Sequence, residues 1–127
     1  MRYVVAAGMI LMGLGIAAIW TRDLMAAEKV DLSPGFFRTR EPDSDSLLWP
    51  HLLAEYGTAL LLLMGGTGLM AEASWSSAVA ATGLGALLYT SLNSLGWALA
   101  RPERRTYAVP MIGGVVVGVV GLVWLIA

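Results

Sequence analysis

The sequence predicts an all-α integral membrane protein: a single domain over residues 1–127, folded as an antiparallel bundle of four membrane-spanning helices. Three observations carry this. Hydrophobic residues make up 57% of the chain and charged residues only 13%, where a soluble domain shows about 25% charged. Four apolar runs, at about 3–20, 47–70, 78–98 and 107–126, each approach the roughly 20 residues a helix needs to cross a bilayer. The 15 glycines suit transmembrane helices packed at close range better than they suit loops.

The first span covers Tyr3 to Trp20, with Arg2 before it and Thr21-Arg22-Asp23 after it. Its 18 residues give about 27 Å at 1.5 Å each, roughly the hydrocarbon thickness. A signal peptide would have a shorter apolar core and a small-residue cleavage site. Ala17-Ala18-Ile19 is a poor one and Trp20 suits an interfacial anchor, so the span is read as retained. Good helix formers, Leu24 to Lys29, allow the helix to run on.

Asp31 to Ser46 is the one long polar connection. Ser33-Pro34-Gly35 signals a turn, and Phe36-Phe37 with Arg38 and Arg40 suits a loop lying on the bundle near the headgroups. Glu41 to Ser46 supplies a capping residue for the second span, whose Pro50 falls in the first turn and is tolerated there. Ala71 to Ser77 is a short connection. Span three, about 78–98, holds Tyr89, Thr90, Ser91, Asn93, Ser94 and Trp97, and Arg101 to Arg105 forms a compact basic turn. Span four is almost free of polar side chains. It carries Gly114-x-x-x-Gly118, the small-residue spacing of close helix contact.

Basic residues set the orientation. Arg22, Lys29, Arg38, Arg40, Arg101, Arg104 and Arg105 fall in the first and third connections, and Arg2 alone falls on the other side. By the positive-inside rule the long first connection is cytoplasmic and both termini face outward, in a multi-pass protein of a plasma or inner membrane.

Several function classes drop out. A net charge of −1 without a basic block gives nucleic acid no footprint. With no cysteine and one histidine there is no thiolate or zinc set, and a single-histidine haem site lacks an axial partner, so no metal or cofactor is expected. Met9, Met12, Met64, Met70 and Met111 are scattered and read as core filler. Gly65-Gly66-x-Gly68 lies mid-helix and lacks the strand and lysine of a phosphate loop. No nucleophile motif surrounds any serine, so no catalytic residue is assigned.

What remains is one polar constellation. His51 and Glu55 are four apart and share a helix face, which Thr58 continues. Glu55 lies about five residues inside Pro50, and Asn93 about five before Ala98, so both sit roughly 7 Å inside the same end of their helices. Thr90, Asn93 and Trp97 share a face by spacing. A buried carboxylate needs donors, so Glu55 is expected to meet Asn93, with Thr58, Thr90 and Trp97 beside them. An ionisable residue at membrane depth is a functional-site hypothesis by default.

The pairs His51-x-x-x-Glu55 and Asn93-x-x-x-Trp97 resemble, in residue type, the pocket of the sterol-isomerase and sigma-2-receptor group of membrane proteins. That group sets intramembrane carboxylates beside aromatics to hold amphipathic amines and sterols. The resemblance covers these four residues and transfers no function. Small multidrug transporters share the size and span number, but they have short loops and an acid in the first span, which this chain lacks.

The sequence therefore leads to an interaction or accessory subunit of a membrane complex, docking a membrane-protein partner or a second copy within the lipid bilayer. The alternative is a binding or isomerase-like pocket for a small amphipathic molecule on Glu55 and Asn93. A third function is proton-linked transport through Glu55.

Overall fold

The computed structural model describes residues 1–26, 30–31, 47–100 and 102–127. Four helices dominate: α1 (Arg2–Ala26), α2 (Trp49–Met70), α3 (Ser76–Leu99) and α4 (Ala108–Ile126). A 3-10 segment, Pro102–Tyr107, leads into α4. All four are long and apolar enough to cross a membrane, α4 when taken from Arg104.

The ends of these helices differ from the apolar runs for local reasons. Helix α1 continues past Trp20 to Ala26, because Thr21 to Met25 tolerate a helix that has left the apolar zone. Leu47–Leu48 are not helical. They form a strand, β2, paired in parallel with β1 (Val30–Asp31), Val30 opposite Leu47 and Asp31 opposite Leu48. The regular helix of span four starts at Ala108, so Pro110 falls in its first turn, where a missing N–H breaks no bond. The Ser33-Pro34-Gly35 turn, the Phe36-Phe37 loop, the cap within 41–46 and the extension over 27–29 lie outside the described residues.

Each helix packs on its neighbour in sequence: α1 on α2, α2 on α3, α3 on α4. Helices α1 and α4 meet only sparingly. Helix α2 is the most buried and α4 the least. Met9, Leu62, Leu84 and Leu87 fill the core. Small residues bring backbones together. A Cβ on Gly65 would lie 2.8 Å from Ala80 Cα, and one on Gly83 3.1 Å from the Leu61 carbonyl carbon, so α2 and α3 touch at main-chain level. On α4, a Cβ at Gly114 would collide with Ser91 Oγ, and one at Gly118 would lie 3.2 Å from Leu88 Cβ.

Polar contacts pin the two ends of the bundle. At one end Arg2 pairs with Glu72, in the α2–α3 connection. Glu72 takes a left-handed conformation (φ 56°) at the C-terminus of α2. The Ala73 N–H donates to Gly68 O (3.0 Å) and the Glu72 N–H to Leu69 O (3.4 Å), a Schellman ending with glutamate in the position glycine usually holds. At the other end Arg22 donates to Tyr107 Oη (3.0 Å), which donates to Asp23 Oδ2 (3.3 Å). These ties join the start of α1 to the α2–α3 turn and its end to the start of α4. The helices therefore alternate in direction.

Candidate functional site: a carboxyl-lined chamber

Helix α2 starts at Trp49, so His51 sits in its first turn and Glu55 one turn deeper, on the same face. That face turns toward α1 and α3. Glu55 is 4% exposed. Its Oε1 accepts a hydrogen bond from Ser94 Oγ of α3 at 3.3 Å and lies 3.8 Å from His51 Nε2. Trp20 of α1 lines the same chamber as this carboxyl group. The Trp20 and His51 rings meet edge to face, centroids 4.7 Å apart. With His51 26% exposed and Glu55 5% by side chain, the pair runs from the rim of the bundle to its interior.

Glu55 lines a largely enclosed cavity of about 100 Å³. Helix α1 contributes Met12, Gly15, Ile16, Ile19 and Trp20. Helix α3 contributes Leu87, Thr90 and Ser91, and α4 contributes Pro110 and Met111. Apart from the Glu55 carboxyl, the Thr90 and Ser91 hydroxyls and the Trp20 indole, the lining is apolar. The Thr90 hydroxyl donates to Leu87 O (3.3 Å), leaving its lone pairs toward acceptor use. Ser91 is 4% exposed, and no hydrogen bond to its hydroxyl occurs among the described residues. Buried polar groups are normally paired, by protein, water or ligand. Among the described residues no group of three or more His, Asp or Glu could hold a metal ion.

Over residues 1–127 the sequence matches a family described as a domain of unknown function (DUF8058). The chain belongs to this family. No curated protein and no solved structure matches it.

In this DUF8058 chain the partner of Glu55 is Ser94, not Asn93. Asn93 is exposed, and no bond joins it to the carboxyl. The reason is angular. The face of α3 turned inward runs through Ala80, Gly83, Leu87, Thr90, Ser94 and Ala98, at steps of three and four. Asn93 falls one residue, about 100°, off that face. Trp97 does not join the site either. Its ring meets Tyr107 edge to face at 5.7 Å, with the Arg104 guanidinium 4.6 Å above it, at the end of the bundle. Thr58 is buried beside Glu55 on α2, but its hydroxyl donates to Ala54 O (2.8 Å). Thr90 reaches the chamber. Sequence reasoning missed Ser91, Ser94 and Trp20. The inward spacing of small residues on α3 held the signal for the two serines. The position of Trp20 depends on how α1 leans on α2, for which the sequence has no marker.

Proposed function

We propose that this is a multi-pass protein of a plasma or inner membrane whose Glu55 chamber binds the polar end of a small amphipathic molecule. One observation carries the binding role. A deeply buried carboxyl group and a serine hydroxyl with no hydrogen bond among the described residues line a small cavity whose remaining wall is mostly apolar. Such a chamber matches a molecule that is itself polar at one end. The binding pair on the protein side is Glu55 with Ser91, in place of Glu55 with Asn93.

The membrane part is supported by the outer surface. Val4, Leu11, Leu14, Leu60, Ile112 and Val116 are all more than half exposed, far more apolar surface than a monomer presents to water. The orientation rests on the seven-to-one basic bias. Thr106→Cys should resist an impermeant thiol reagent in intact cells, and Ala127→Cys should react. The reverse pattern rejects the orientation.

The binding role is tested by purifying the full chain in mild detergent and identifying what travels with it by mass spectrometry. A small amphipathic molecule should accompany the wild type and be lost from Glu55→Gln, which keeps the shape of the side chain. An identical lipid complement in both would overturn the reading.

A second function, docking of a membrane partner or a second copy, is favoured by the outer face of α3. Tyr89 is 73% exposed there, Asn93 points outward, and a Cβ on Gly85 or Gly96 would meet nothing within 4 Å. A stoichiometric partner in the same purification would support it. Proton-linked transport through Glu55 would appear as pH-dependent flux in proteoliposomes.

A further inference from the structure

We infer that the chamber opens to the bilayer through a window between α1 and α4, and that its ligand is a single-chain amphiphile with a compact, hydrogen-bond-donating head. This rests on the Glu55 chamber being a binding site and adds the route and the ligand class.

The window follows from how α1 and α4 meet. Toward the Glu72 end they touch: a Cβ on Gly8 would lie 3.6 Å from Val117 Cγ1. At the Tyr107 end they are tied by the bond from Arg22 to Tyr107, at 3.0 Å. Between these points, about 21 Å apart along α1 at 1.5 Å per residue, the seam is open. Cβ positions on Gly15 of α1 and Gly113 of α4 meet nothing within 4 Å. Gly15, Ile19, Pro110 and Met111 line the chamber and are partly exposed at the surface of the bundle. The opening lies beside the middle of α1 and the first two turns of α4, on the side that faces hydrocarbon when those helices span a membrane. An apolar chain already in the bilayer can pass there. A water-soluble polar metabolite has no hydrated path to it on that side.

The head is defined by the acceptors waiting for it. Glu55 in its ionised form accepts only, and Thr90 has committed its proton to Leu87 O. Ser91, 4% exposed and without a hydrogen bond among the described residues, can accept or donate. A donating head, a primary alcohol or a primary ammonium, satisfies this set. A phosphate or sulfate head would face the carboxyl with like charge and leave the acceptors unmet. Size narrows the choice further. A cavity of about 100 Å³ is well below the roughly 300–1,000 Å³ of sites that enclose a drug-sized molecule. It takes a head and a few carbons, and the rest of the chain leaves through the window.

The test uses the full chain in phosphatidylcholine nanodiscs, titrated with dodecanol and with dodecylamine bearing a bromine on the chain. Bromine quenches tryptophan on contact, and Trp20 lines the chamber. Saturable quenching is expected in the wild type and should vanish in Trp20→Phe, which identifies the reporting ring. Gly15→Phe plugs one rim, where a Cβ meets nothing within 4 Å, and should weaken binding at least tenfold. Gly113→Phe plugs the other rim and serves if the first variant fails to fold. Quenching by the alcohol alone or by the amine alone supports the inference and assigns the head. Saturable binding of brominated dodecyltrimethylammonium, which has no donor, would overturn the head assignment. Undiminished binding in a folded plugged variant would overturn the window and leave the chamber standing. No saturable quenching by any probe, with nothing bound in the co-purification, would remove both.

Discussion

The contact between α2 and α3 can be tested by making one substitution at two places in one helix. Gly65→Ala puts a methyl group 2.8 Å from Ala80 Cα and 2.8 Å from Met9 Cε. Carbon atoms in contact sit about 3.5–4.0 Å apart, so one neighbour must move by roughly 0.7 Å or more. Met9 is fully buried and Ala80 presents backbone, so neither yields without separating the helices. Overpacking of this kind costs about 1–3 kcal/mol. Gly57→Ala makes the same chemical change eight residues earlier, where a Cβ meets nothing within 4 Å. Both variants share the gain in helix propensity, about 1 kcal/mol. Their difference therefore isolates the overpacking, and Gly65→Ala should be less stable than Gly57→Ala by about 1–3 kcal/mol. The assay is loss of helical circular dichroism on denaturation in one detergent, with equal lipid content. Equal shifts in the same direction would show that α2 and α3 do not meet at Gly65, and the geometry built on that crossing would fall.

Other outcomes follow from the site and the turns. Ser94→Ala removes a donor to a buried carboxyl and should lower stability by about 1 kcal/mol, whereas Asn93→Ala should change it by less than about 0.5 kcal/mol; the opposite ranking in the same assay would return Asn93 to the site. Glu55→Met exchanges a sparsely bonded buried acid for an apolar side chain and should raise stability, on the order of 1 kcal/mol, while abolishing the co-purified molecule. A marked loss of stability would instead make Glu55 a structural clamp. Glu72→Gly relieves a left-handed backbone by about 1 kcal/mol and should not destabilise despite the lost pair with Arg2, but Glu72→Ala keeps the backbone conformation, loses the pair and should destabilise.

Four helices were legible because each is an apolar run of membrane length, a signal that does not depend on neighbours. Their ends were less legible. Thr21 to Ala26 continue α1 through polar residues, and Pro102–Tyr107 wind into a 3-10 turn that no apolar pattern marks. The site was legible on α2, where His51 and Glu55 stand out by charge. It was misread on α3, where the strongest hydrogen-bonding residue, Asn93, drew the pairing away from the quieter serine beside it. Chemical strength competed with periodicity there, and periodicity decided. The chamber itself had no linear signature. Its wall joins Gly15 and Trp20 from the first helix to Pro110 and Met111 from the last, and only the fold relates those positions.

The order in which the helices pack also bears on how the protein is made. Each helix leans on the one before it, so most of the contacts are local in sequence, a topology that assembles quickly. As the chain emerges, α1, α2 and α3 can associate in turn, domain parts forming from the N-terminus onward. Glu55 and Ser94 would already be joined at that stage, but with the wall of Pro110 and Met111 missing. The last helix completes the enclosure by docking on α3 through Gly114, Gly118 and Gly121, with little help from α1. The compartment around the carboxyl thus comes into being only once α4 has docked, and a ribosome stalled before residue 108 would hold a three-helix precursor with its acid open on one side.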